Sequence, residues 1–125
     1  MTRILYVEDN EDNVYMLSQR LRKHGFEVII ASDGLQGIEM ARRDKPDLIL
    51  MDLGLPSLDG WTAARHLKQA PDTRSIPILA LSAHTMPGDR ERALAAGCDE
   101  YVAKPVIFEK LLAKIDALVR DRSLS

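Results

Sequence analysis

A chain of 125 residues, 46% hydrophobic and 29% charged, is long enough for one ordinary domain with its own core and too apolar for a disordered segment. The 17 Lys and Arg against 19 Asp and Glu leave a formal charge of −2, which excludes nucleic-acid or anionic-membrane binding by bulk electrostatics. The single cysteine, Cys98, excludes an internal disulfide, and no apolar run approaches the roughly 20 residues of a membrane span.

Arg3–Val7 (RILYV) is short, apolar and partly β-branched, and predicts a strand. Asn10 then offers an N-cap, and Val14, Leu17 and Leu21 fall at helical spacing up to His24-Gly25, where a glycine ends the helix. Glu27–Ala31 (EVIIA) predicts a second strand. Asp33-Gly34 starts a second helix in which Ile38 and Ala41 or Arg42 share a face; it stops before Lys45-Pro46 because the residue before proline avoids the α region. Leu48–Met51 (LILM) is wholly apolar, as expected of a strand covered on both faces. Leu53–Gly60 reads as a loop, with Asp59 capping a third helix that runs through Leu67. Ile78–Leu81 is a buried run after Pro77, a fourth helix spans Asp89–Ala96 and closes at Gly97, and Tyr101–Ala103 is the last short strand. Ile107, Leu111, Ile115 and Leu118, with Leu112 and Val119 beside them, predict a final amphipathic helix.

Five strand–helix units, with no internal repeat, low-complexity tract or linker, define an α/β chain. Their alternation implies a doubly wound, five-stranded parallel sheet with helices on both faces and right-handed crossovers. Ligands of such sheets bind beyond the C-terminal strand ends, near the switch in strand order. The residues just after the apolar runs are therefore the informative ones: Glu8 and Asp9, Asp52, Ser82 and Lys104.

Three carboxylates crowded at one rim repel one another, and a hard divalent cation resolves the repulsion. Magnesium suits such a site because it takes oxygen ligands, keeps several waters and bridges to phosphate. A carboxylate is also a competent nucleophile towards phosphorus. The three oxygens of a transferring phosphoryl group can be met by a metal, a lysine ammonium and a hydroxyl or backbone N–H. Asp52, Lys104 and Ser82 supply the nucleophile, the ammonium and the hydroxyl.

With these residues in view, the chain resembles the receiver domain of two-component response regulators over nearly its whole length. The matching segments are VEDN (Val7–Asn10), PDLILMDLGLPSLDG (Pro46–Gly60), ALSA (Ala80–Ala83) and AGCDEYVAKP (Ala96–Pro105). The resemblance implies a flavodoxin-like (βα)5 fold of strand order 2-1-3-4-5 and a cytoplasmic phosphoacceptor switch, not an enzyme beyond self-catalysed phosphorylation and dephosphorylation. By it, Asp52 is the phosphoacceptor. Asp9 ligates Mg²⁺ (or Mn²⁺) directly, Glu8 acts largely through a metal-bound water, and Asp52 and the Gly54 backbone carbonyl complete the protein ligands. Lys104 and the Ala83 N–H meet phosphoryl oxygens, and the bond from Lys104 into Pro105 is cis. Ser82 and Tyr101 form a switch: the hydroxyl moves to the new phosphoryl oxygen, the ring follows, and the face made by the fourth helix, fifth strand and fifth helix changes. Gly54 and His84 occupy positions that tune dephosphorylation. Glu8 stands where many members have aspartate, and Ser82 where threonine is frequent.

The implied donor is a histidine kinase or histidine phosphotransfer protein, with an unidentified downstream protein target and no nucleic-acid or membrane partner. A monomer is expected, with dimerisation on phosphorylation left open. The N-terminus turns acidic too soon for a signal peptide, and a single receiver domain over residues 1–125 without an output domain is expected. A free-standing regulator is favoured over a receiver excised from a hybrid kinase; relay transfer and output by contact are equal alternatives.

Blander readings stand beside these. Glu8 and Asp9 resemble acids at a helix start, Asp52 and Ser82 resemble turn formers, and Tyr101 an amphipathic rim residue. Cys98 and Trp61 read as packing residues, His84 as an exposed loop histidine, and Arg42, Arg43, Arg90 and Arg92 as solvated helix faces. A flavin-type phosphate loop is disfavoured because EDNEDN would repel a phosphate unless a metal intervened. An aspartyl phosphatase lacks its DxD pattern at Asp9, and a calcium loop fails because Val14 stands where glycine is required. The remaining rival is a receiver fold that binds proteins independently of phosphorylation.

Overall fold

The computed structural model describes residues 2–53, 60–82 and 88–124, with side chains to residue 120. Gly54, Asp59, Ala83 and His84 therefore lie outside the described residues. The elements are β1 (Arg3–Val7), α1 (Glu11–Lys23), β2 (Glu27–Ala31), α2 (Gly34–Asp44), β3 (Leu48–Asp52), α3 (Gly60–Gln69), β4 (Ile78–Ser82), α4 (Asp89–Ala95), β5 (Glu100–Ala103) and α5 (Phe108–Leu124). All pairings are parallel and the strand order is β2-β1-β3-β4-β5. This is the flavodoxin-like order expected from the resemblance.

Successive strand residues point to opposite faces, so an apolar run with no alternation needs cover on both sides. One face of the sheet packs Leu5, Val7, Ile49, Met51, Ile78 and Ala80 against Ile38 and Ala41 of α2, Ala63 and Leu67 of α3 and Ala93 of α4. The other packs Ile4, Tyr6, Leu48, Leu50, Leu79 and Leu81 against Leu21 of α1 and Phe108, Leu111 and Ile115 of α5. Ala41 and not Arg42 takes the inward place on α2.

Local chemistry sets the helix ends. The Asn10 side chain accepts from the Asn13 N–H at 2.9 Å, with Glu11 and Asp12 in the first turn and Arg20, Arg22 and Lys23 in the last. Asp33 accepts from the Gln36 N–H at 2.8 Å, and α2 ends at Lys45 in the left-handed region (φ 46°), just before Pro46.

Several boundaries differ from expectation: α3 runs on to Gln69, and α4 ends at Ala95. β3 and β4 each run one residue beyond their apolar cores, because Asp52 pairs opposite Leu81 and Ser82 opposite Ala103. β5 begins at Glu100, which pairs with Leu79. The last helix begins at Phe108, not Ile107: the Ile107 carbonyl accepts the Leu111 N–H at 3.0 Å as a capping residue, and its side chain is 51% exposed. Phe108 takes the buried place, with the Arg20 guanidinium 4.2 Å over its ring and the His24 ring 5.0 Å away.

Candidate functional site

The chain leaves β1 to build β2 on one side and returns to build β3 on the other, which opens a crevice at the C-terminal ends of β1 and β3. Val7 pairs with Met51, so one step further the register brings Glu8 beside Asp52. Carboxylate oxygens of Glu8, Asp9 and Asp52 lie within 4.8 Å of one another. Glu8 and Asp52 are buried, and Asp9 is exposed at the mouth.

Lys104 follows β5 and is carried to the same rim because its N–H donates to the Ser82 carbonyl at 2.8 Å. Its Nζ donates to Glu8 Oε1 and to Asp52 Oδ2, each at 3.2 Å. The Lys104–Pro105 peptide is cis. Glu8 is held on all sides: Oε2 accepts the N–H groups of Asp9 at 3.1 Å and Asn10 at 3.3 Å, while Oε1 also faces Tyr6 Oη and Asn13 Nδ2, both at 3.4 Å.

Burial drives the Glu8 carboxyl above its usual range, and the facing Asp52 pushes the same way against the pull of Lys104. Burial alone would lower the Lys104 ammonium, but Asp52 and Glu8 outweigh it and hold its pKa up. Burial, then Glu8 and Asp52, push the Tyr6 phenol up as well. Two buried carboxylates and an exposed third around one lysine are short of positive charge. That deficit and the all-oxygen donor set fit a hard divalent cation.

Ser82, the last residue of β4, is buried beside this rim. Tyr101 lies further back on β5, opposite Ala80, half-buried against the α3/α4 side of the core and not among the acids. Trp61 is half-buried with the Arg92 guanidinium 4.9 Å over its ring, so Arg92 is a packing partner as well as a solvated charge. Cys98 is buried, in keeping with a packing role.

Sequence reasoning missed three contributors. Tyr6 reads as an ordinary core aromatic, although a phenol in a strand covered on both faces signals a need for a buried acceptor. Asn13 reads as the last residue of the acidic EDNEDN stretch, and Gly60 as a loop end. A Cβ at Gly60 would collide with the Asp52 carbonyl oxygen and come within 2.6 Å of Leu53 Cα. The start of α3 thus rests directly on the backbone of the acidic strand end.

Receiver domains are regulatory phosphoacceptor domains, and the strand order and rim chemistry here are of that class. Residues 4–116 match the response regulator receiver domain family, and the chain belongs to it. Polar-differentiation response regulator DivK of Brucella anthropi is 36% identical over 118 residues, which cover 94% of this chain and 96% of DivK. Response regulator PleD of Caulobacter vibrioides is 41% identical over 118 residues, 94% of this chain but 26% of PleD. The receiver domain of sensor histidine kinase PA1611 from Pseudomonas aeruginosa, solved with magnesium coordinated in its active-site cleft, matches with a TM-score of 0.87 and 39% identity. That match covers 94% of this chain and 97% of the other. No helix among the described residues is long and apolar enough to cross a membrane.

Proposed function

We propose that this chain is a phosphorylation switch in which Asp52 accepts a phosphoryl group from a phosphohistidine of a kinase or phosphotransfer protein. The observation that carries this reading is the convergence of Lys104 Nζ on Asp52 and Glu8 at 3.2 Å, with Asp9 at the open side. Glu8, Asp9 and Asp52 would hold the magnesium ion, together with the Gly54 carbonyl. When bound, the ion neutralises carboxylate charge and offers a site for a phosphoryl oxygen.

The chain's own groups do the rest. An Asp52 carboxylate oxygen attacks phosphorus and the P–N bond to the donor imidazole breaks. The electron pair stays on that nitrogen, and an acyl phosphate forms. Lys104 turns from the carboxylates to a phosphoryl oxygen, and the Ser82 hydroxyl and the Ala83 N–H meet another. Ser82 and Tyr101 then bias the face of α4, β5 and α5 towards a downstream protein. Gly54 and His84 set access of water to the acyl phosphate.

A phosphorylated histidine phosphotransfer protein should pass its phosphoryl group to the wild-type chain with Mg²⁺ present and not to Asp52→Asn. Partner capture that is the same with and without beryllofluoride would instead support the phosphorylation-independent binding module.

A further inference from the structure

We propose that Tyr6 is a positioning residue that fixes the Glu8 carboxylate in the acidic site; its bearing on metal binding rests on the magnesium reading above. Tyr6 is 2% exposed and lies two residues before Glu8, so the two side chains leave the strand on the same side. A phenol buried in an apolar wall needs an acceptor. Tyr6 Oη reaches Glu8 Oε1 at 3.4 Å, and Asn13 Nδ2 approaches the same oxygen from α1, also at 3.4 Å. Each contact is long and weak alone. Together with Lys104 Nζ at 3.2 Å they surround Oε1, while two backbone N–H groups hold Oε2.

The glutamate length matters to this arrangement. Its extra methylene carries Oε1 to the phenol, whereas an aspartate would end one carbon short and take away the carboxylate acceptor that the hydroxyl has here. Tyr6 and Glu8 therefore act as a pair: the phenol orders the carboxylate before any ligand arrives, so that ordering does not oppose binding.

A double-mutant cycle of Tyr6→Phe and Glu8→Asp tests the pair with two measurements. Phenylalanine keeps the ring packing and removes only the hydroxyl. In chelator, Tyr6→Phe should move the amide resonances of Asp9 and Asn10, whose N–H groups bond Glu8 Oε2, and should leave them in place in the Glu8→Asp background. With Mg²⁺ as titrant, Tyr6→Phe should weaken binding by about threefold to tenfold when residue 8 is glutamate, and by less than about twofold when it is aspartate. Equal changes in both backgrounds, or unmoved amides in chelator, overturn the pairing. A wild-type chain indifferent to Mg²⁺ overturns the magnesium reading alone, since the metal-free amide comparison still decides whether Tyr6 holds Glu8.

Discussion

Lys104 governs how buried Glu8 and Asp52 coexist. Its side chain is 22% exposed and bonds both carboxylates, so it offsets part of their repulsion without removing it. The Glu8 pKa is raised in the fold, so this group's contribution to stability is present below its ordinary value and is lost as pH rises through the raised one. Asp52→Asn removes a main source of that rise. In chelator it should stabilise the protein at pH 7 by about 1 kcal/mol and shrink the stability difference between pH 5 and pH 7, measured by denaturant titration. Cys98 gives a second, independent pH signal. Burial, with Asp99 adding to it, pushes the thiol from 9.0 to about 11. Its contribution is intact below 9.0 and is lost as pH rises to about 11. Cys98→Ala should remove about 2–3 kcal/mol of stability loss across that window, and the native thiol should resist alkylation at neutral pH.

Two helix starts bear directly on the account. Gly60 opens α3 against the Asp52 carbonyl and Leu53 Cα. Helix propensity favours alanine there, but the close approach forbids it. Gly60→Ala should cost about 1–3 kcal/mol and, if β3 shifts, lower Mg²⁺ affinity, as read by unfolding and titration of the same variant. At α5, Phe108→Ala should cost about 3–5 kcal/mol, whereas Ile107→Ser should change stability by less than about 0.5 kcal/mol. The reverse order would restore Ile107 to the core. Adjacent apolar residues at a helix start look alike to periodicity, and only the capping geometry shows which one turns inward. Likewise the apolar cores of β3 and β4 were legible as runs, but Asp52 and Ser82 join the ladder through backbone pairing, which hydrophobicity does not register.

The whole molecule was legible because its strands are covered on both faces and alternate with helices, a pattern that leaves few topologies open. From that topology alone, Glu8, Asp9, Asp52 and Lys104 could be placed at one rim, and the structure brings them together. The contacts of Asn13 with Glu8 and of Gly60 with β3 depend on approach between elements, which spacing along the chain does not encode; Tyr6 and Glu8 share a side by spacing, but burial of both is what makes their contact matter. The proposed function at this level is the coupling of one carboxylate to a distant face through Ser82 and β5. That proposal requires Asp52 to take up phosphorus with the help of an ion that Glu8 and Asp9 would hold. Intact-mass measurement of the chain incubated with acetyl phosphate tests this most directly. A gain of about 80 Da that requires Mg²⁺ and disappears in Asp52→Asn is the expected result. An unchanged mass with Mg²⁺ present, or a gain that survives Asp52→Asn, would contradict the assignment of Asp52 as the acceptor.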